Sequence, residues 1–188
     1  MRWLFLAVFT TFLFASQFAV AEQPRVVFKT NVGAFEVEVF PDEAPVTSEN
    51  FLAYVDASFF EDLIFHRVIE NFMVQTGGYT ADMELREPGD SIINESVGGP
   101  RNLRGTLSMA RLRNPDSASA QFFINVTDNA HLDARGDRPG YAVFGRVVSG
   151  MDVVDAISQV DTTVVAGMSD VPVERIVITS VRRVNPGS

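Results

Sequence analysis

The sequence predicts a mainly β domain, either a barrel or a sandwich. Eight short strand-like runs are separated by turn signals, and only two stretches show helical spacing. The composition is that of a folded globular chain, with 46% apolar and 21% charged residues, and with 16 Phe against 3 Tyr and 1 Trp.

The first two runs cover 25–30 and 34–40 and are broken by Asn31-Val32-Gly33, where a glycine can take the positive φ of a tight turn. In the second run Phe35, Val37 and Val39 alternate with Glu36 and Glu38, the period of a half-buried strand. Pro41 and Pro45 punctuate the next stretch of chain, and Pro45 suits the first position of a helix, where a missing N–H loses no bond. Phe51, Leu52 and Val55 carry that helix to about residue 57. Strands are expected over 64–69, 72–76, 106–110, 121–126 and 143–148. A second helix over 151–160 places Met151, Val154 and Ile157 three residues apart, and a strand over 174–181 ends the pattern. The connections 77–103 and 111–119 are long and polar, and long structured loops in a compact domain are more often functional than accidental.

The start of the chain reads differently. Arg2, an apolar run over 3–18 and the small-x-small triplet Ala19-Val20-Ala21 fit an export signal cleaved before Glu22. The apolar run is short and polar for a membrane span, which needs about 20 apolar residues. Residues 1–21 are therefore expected to be a signal peptide and 22–188 a single exported domain, with no stable membrane association after cleavage. A net charge of −9 argues against nucleic acid or an anionic membrane as partner. The absence of cysteine removes thiol chemistry, and a domain of this length can bury a sufficient core without disulfides. The two histidines, His66 and His131, lack the paired spacing of metal ligands, so no metal site is expected.

One segment is far more specific. Phe65-His66-Arg67-Val68-Ile69-Glu70-Asn71-Phe72-Met73-Val74-Gln75-Thr76-Gly77-Gly78 resembles the signature of the cyclophilin family, with Thr76 inserted between Gln75 and the glycine pair. Gly105-Thr106-Leu107-Ser108-Met109-Ala110-Arg111 resembles a second element of that family, and Ala120-Gln121-Phe122-Phe123-Ile124 a third, with Ala120 in place of serine. Tyr141-Ala142-Val143-Phe144-Gly145-Arg146-Val147 resembles the closing F-G-x-V strand. The four blocks stand in the family's order, and their wording is closest to exported bacterial members. The resemblance implies an eight-stranded antiparallel closed β-barrel capped by two α-helices, with an active groove on its outer face. It also implies a peptidyl-prolyl cis/trans isomerase, without cofactor, acting as a monomer in a bacterial periplasm on proline-containing unfolded or flexible polypeptides.

The chemistry asked of such a protein is modest in kind. Rotation about a peptide bond meets a barrier of about 18–20 kcal/mol because resonance gives the C–N bond double-bond character. The X–Pro isomers differ by only about 0.5–1 kcal/mol yet interconvert over roughly tens to hundreds of seconds. A catalyst needs only to favour the twisted amide, whose prolyl nitrogen regains a lone pair. Arg67 suits this, because a guanidinium stays charged and offers a rigid fork of donors to a pyramidal nitrogen.

By the resemblance, Phe72, Met73, Phe123 and Leu132 form the proline pocket. Gln75 hydrogen-bonds the substrate backbone, supported by Gln121. Ala110 and Arg111 occupy the position whose backbone pairs with bound peptide, Arg111 standing where many members carry Asn. His131 stands where eukaryotic members often carry a Trp that contacts cyclosporin, and Tyr141 where many carry a groove-lining His. Strand alternation puts Gln121 and Phe123 on one face and Phe122 and Ile124 on the other, and pairs Met73 with Gln75. His66 alternates away from Arg67 and is expected to be a buried structural residue.

Two other readings keep the same pattern of elements: a non-catalytic chaperone or proline-peptide-binding module on this fold, and a small-ligand barrel with an empty apolar interior. An intact Arg67, Gln75 and Phe123 set favours the enzyme over the first, and the many Phe residues are expected to fill the interior required by the second. The small polar ring of His131 predicts weak cyclosporin inhibition with isomerase activity retained. An inhibition titration reaching half-effect near the enzyme's own concentration would refute it.

Overall fold

The computed structural model describes residues 23–184, so the segment 1–21 read as a signal lies outside the described residues. Along the chain run β1 (Arg25–Thr30), β2 (Gly33–Val39), α1 (Pro45–Asp56), β3 (Arg67–Ile69), β4 (Met73–Thr76), β5 (Thr106–Met109), β6 (Phe122–Asn125), β7 (Val143–Ser149), α2 (Met151–Ser158), β8 (Thr162–Val165), β9 (Met168–Pro172) and β10 (Ile178–Val184). Eight strands form one antiparallel sheet in the order β10-β1-β2-β7-β5-β6-β4-β3, and β8 and β9 make a separate hairpin. The sheet's two ends meet just ahead of β3. There the Phe65 N–H donates to the Ile176 carbonyl at 3.0 Å, Ile178 to Leu63 at 2.8 Å and Asp62 to Ile178 at 2.8 Å. The expected barrel therefore closes through a short bridge and not through a full ladder on β3.

The expected elements fall within a few residues of the observed ones. The first turn is Asn31–Val32, and Gly33 already begins β2 opposite Thr30. The run expected over 64–69 is a true strand only from Arg67, its first part being the bridge that closes the barrel. The β8–β9 hairpin was not expected from the sequence. Its turn is Ala166-Gly167, both at positive φ, 52° and 83°, as a two-residue hairpin turn requires. Exposed Thr162, Thr163 and Val164 gave it no buried alternation to detect.

Phenylalanine fills the interior. Phe28, Phe35, Phe51, Phe60, Phe65, Phe122 and Phe144 are all buried. Phe28 stacks on Phe35 at 5.1 Å between ring centroids, and Phe51 of α1 meets Phe122 edge-on at 5.5 Å and Phe144 at 4.9 Å. Burial of such rings, at roughly 25 cal/mol per Å2 of apolar surface, is the main source of stability. α2 adds Val154 and Ile157 to the same cluster. Among the described residues these rings touch one another across the interior, with Phe60 also meeting Phe122 edge-on at 5.5 Å, which counts against the empty apolar interior that a small-ligand barrel requires.

Helix α1 begins at Pro45 after Ala44, which has no side-chain oxygen to cap it. The long loop supplies the cap: Glu95 accepts hydrogen bonds from the N–H groups of Val46 (3.1 Å) and Thr47 (2.8 Å) and from the Thr47 hydroxyl (2.7 Å). A carboxylate here satisfies first-turn donors and opposes the positive end of the helix dipole. The same loop is held by Arg86, which donates to the Phe59 and Glu61 carbonyls, and by Gly89, which donates to the Tyr54 hydroxyl. Replacing Glu95 by Ala is expected to lower unfolding stability by about 1–2 kcal/mol, the size of a lost helix cap. Urea titrations of both proteins would show it, and a difference below about 0.3 kcal/mol would mean that solvent caps the helix equally well.

Candidate active site

Strand register assembles the candidate residues. Arg67 pairs with Gln75 across β3 and β4, Gln75 with Phe123 across β4 and β6, and Phe123 with Ser108 across β6 and β5. Directly opposed residues share a face, so these four form one outward row. The neighbouring row, Val68, Val74, Ile124 and Leu107, belongs to the buried core. The alternation expected for Phe122 and Ile124 against Phe123 is therefore observed, as is the shared face of Met73 and Gln75.

Above the outward row lies a cavity of about 130 Å3 lined by Arg67, Phe72, Met73, Gln75, Ala110, Arg111, Phe123, Leu132 and Tyr141. Two expected residues stand beside this cavity. Gln121 accepts a 3.0 Å hydrogen bond from the Gln75 amide and lines the adjoining hollows. Its side chain lies against Gly78, where an added Cβ would come within 2.6 Å of the amide and push the Gln121 side chain from its place. His131 is exposed at the rim and stacks on Phe72 at 5.5 Å and 26° between planes.

The floor and walls are braced by packing and hydrogen bonds. Met73 and Phe123 are 2% and 4% exposed, although both line the cavity. Tyr141 meets Phe123 edge-on at 5.6 Å. The Arg111 guanidinium lies 4.7 Å from the Tyr141 ring centre and donates to the carbonyls of Gly140 (3.0 Å), Leu112 (3.0 Å) and Pro139 (3.4 Å). Its side chain thus braces the Tyr141 wall and the loop before it, a role that the sequence did not reveal. On the other side, Asn129 donates to the Phe72 carbonyl at 2.9 Å and to Asn125 at 2.8 Å. Asn125 in turn donates to Asn102 and Thr106, and Ser108 donates to Asn102 at 2.7 Å. These buried polar groups are hydrogen-bonded to one another, which holds Phe72 in place without an unpaired donor.

His66 is buried, as expected, but it packs under the groove and not among the barrel phenylalanines. Its ring lies 4.8 Å from Tyr79 and it lines a hollow with Gln121. Its Nδ1 has no hydrogen-bond partner among the described residues. Burial lowers its pKa from 6.5 to about 4, outweighing the stabilising contacts of the Ile64 carbonyl and Gln121. The sequence also passed over Leu112 and Asp170, which border the groove from a polar loop and from the unexpected hairpin.

Residues 25–183 match the family model described as cyclophilin type peptidyl-prolyl cis-trans isomerase/CLD. The chain is 48% identical over 157 residues to a peptidyl-prolyl cis-trans isomerase of Acinetobacter baylyi, covering 84% of each chain. It is 48% identical to peptidyl-prolyl cis-trans isomerase A of Dickeya dadantii, over 90% of this chain and 89% of that one. In fold it is similar to a crystal structure of a cyclophilin type isomerase from Cryptosporidium parvum, at TM-score 0.73, covering 87% of this chain and 99% of that one.

The buried neutral His66 sets a pH window. The unfolded chain protonates this ring below about pH 6.5, whereas the folded chain does so only near pH 4. Stability is therefore full above pH 6.5 and falls as pH drops toward 4, by up to about 3 kcal/mol from this residue alone. Thermal unfolding midpoints of the parent and His66→Gln measured from pH 7.5 to 4 would reveal it: the parent's acid slope should exceed the variant's. Equal slopes would show that His66 does not carry the effect.

Proposed function

The chain belongs to the cyclophilin-type peptidyl-prolyl cis-trans isomerase family, and we propose that it uses Arg67 to accelerate X–Pro isomerisation in proteins folding after export. The observation that supports this most is the convergence of nine expected residues on one cavity, with Arg67 and Gln75 paired at its edge. Phe72, Met73, Phe123, Leu132 and Tyr141 offer an apolar seat for a proline ring, and the displaced water strengthens polar contacts made beside it. Gln75 presents an amide held by Gln121 to the backbone carbonyl that turns during rotation.

The guanidinium then acts on the prolyl nitrogen. In the planar ground state the nitrogen lone pair is delocalised and accepts poorly. In the twisted state the lone pair is localised, and a charged N–H donates to it strongly. Only the interaction that strengthens in the twisted state lowers the barrier. No bond is made or broken, and no proton changes place. An arginine does not titrate near neutrality, and a ring with a pKa of about 4 stays neutral there, so the rate should vary little between about pH 6 and pH 8.

Support for export comes from the sequence: the apolar run 3–18 and Ala19-Val20-Ala21. Clients would be polypeptides in the compartment beyond the membrane, a bacterial periplasm, with the enzyme working as a monomer.

NMR exchange on a short Ala-Pro peptide tests the catalytic half. Arg67→Ala should lose about 100-fold or more of the parent's rate, and Arg67→Lys should fall between them because it lacks the fork. A folded Arg67→Ala variant with parental activity would overturn the assignment. Sequencing the amino terminus of protein recovered from the periplasmic fraction tests the other half. A chain beginning at Glu22 is expected; full-length protein confined to the cytosol would end the export reading while leaving the catalytic one standing.

A further inference from the structure

Arg67 makes an ion-pair contact with a residue that does not line this cavity. The Asp170 carboxylate lies 3.7 Å from Arg67 Nε, with the two side chains 43% and 38% exposed for Arg67 and Asp170 respectively. Among the described residues Asp170 is the acidic group paired with this arginine. The contact falls on Nε, the inner nitrogen of the guanidinium, so the two terminal nitrogens remain available to the cavity that Arg67 lines. Asp170 belongs to β9, which packs against β3, and it lines a second hollow together with Arg67, Gln75, Gln121 and Leu112.

The backbone at Asp170 is itself unusual, with φ at 64°, a left-handed conformation that costs an ordinary L-residue roughly 1 kcal/mol. Asp and Asn tolerate it better than other side chains, so the conformation alone explains only why a short polar residue stands here. It does not explain the charge. Asn would fit the backbone equally well, and the charge is what meets Arg67.

We propose that Asp170 is a positioning residue for Arg67: it fixes the guanidinium through Nε and so aims the terminal N–H groups at the prolyl nitrogen. An arginine this exposed samples several rotamers, and a catalytic donor must be held within about 0.5 Å of its productive geometry. One carboxylate on the inner nitrogen restricts that sampling without competing for the donors that the substrate needs. The β8–β9 hairpin thereby becomes part of the catalytic apparatus while touching no substrate. The inference rests on Arg67 being the catalytic donor.

Asp170→Asn is the informative change, since it keeps size and backbone preference and removes the charge. In NMR line-shape measurements on an Ala-Pro peptide, the on-enzyme exchange rate should fall about two- to five-fold, the range of an exposed ion pair, with the peptide dissociation constant unchanged. Added salt should lower the parent's exchange rate toward that of Asp170→Asn and leave the variant's rate unaltered. In an Arg67→Ala background the same change should have no effect. A merely structural aspartate would shift the unfolding midpoint and none of these quantities. If Arg67→Ala is impaired but Asp170→Asn matches the parent at low salt, the Asp170 inference fails by itself. If Arg67→Ala is unimpaired, the failure lies with the catalytic assignment beneath it.

Discussion

Everything at the groove depends on the register of three strand pairings. Arg67 opposes Gln75, Gln75 opposes Phe123 and Phe123 opposes Ser108, while the next row inward is Val68, Val74, Ile124 and Leu107. Side chains alternate with a period of two, so a slip of one residue in any pairing would exchange the two rows. The guanidinium would then face the phenylalanine core and the valines would face water. The cost of burying a charge among the rings makes that slip prohibitive, and the apolar row thus locks the polar one in place. Packing and chemistry here are two faces of a single constraint.

Behind the row, the walls are tied down by groups that never meet a substrate. Asn129 and the Val126 N–H both bind the Phe72 carbonyl, and Asp133 accepts from the Asn102 backbone at 2.7 Å. Arg111 performs the same service for Tyr141 by stacking on its ring and holding the carbonyls before it. Two polar assemblies, one asparagine-based and one arginine-based, therefore fix opposite walls of an apolar pocket. Such support is what separates a cavity of suitable size from one of suitable shape.

Much of this could be read from the sequence, and the reasons for success and failure are physical. The alternation in Phe35-Glu36-Val37-Glu38-Val39 and in the Gln121–Ile124 run is a direct imprint of one buried and one outer face, so strands and facing were legible. The four ordered blocks carried the groove, because their residues converge by register and not by proximity in sequence. The β8–β9 hairpin was not legible, since three of the four β8 residues are exposed and leave no periodic apolar trace. Asp170 went unseen with it. The Glu95 cap and the Arg111 brace were hidden for a different reason: each joins positions distant along the chain through a single side chain, and no local pattern records such a meeting. His66 was rightly placed as buried, but its location beneath Gln121 depends on how the chain bends ahead of β3.

The way the barrel closes also dictates when it can form. β1 is hydrogen-bonded to β10 along its whole length, from Arg25 opposite Val184 to Thr30 opposite Ile178, and β10's first residues also close the seam at 62–65. The first strand thus waits for the last one. A nascent chain leaving a ribosome, or threading through a pore, can assemble the β3–β7 portion early. It must nevertheless carry an open β1 edge and an unsealed phenylalanine interior until its final strand emerges, the stage at which edge-to-edge association is most dangerous.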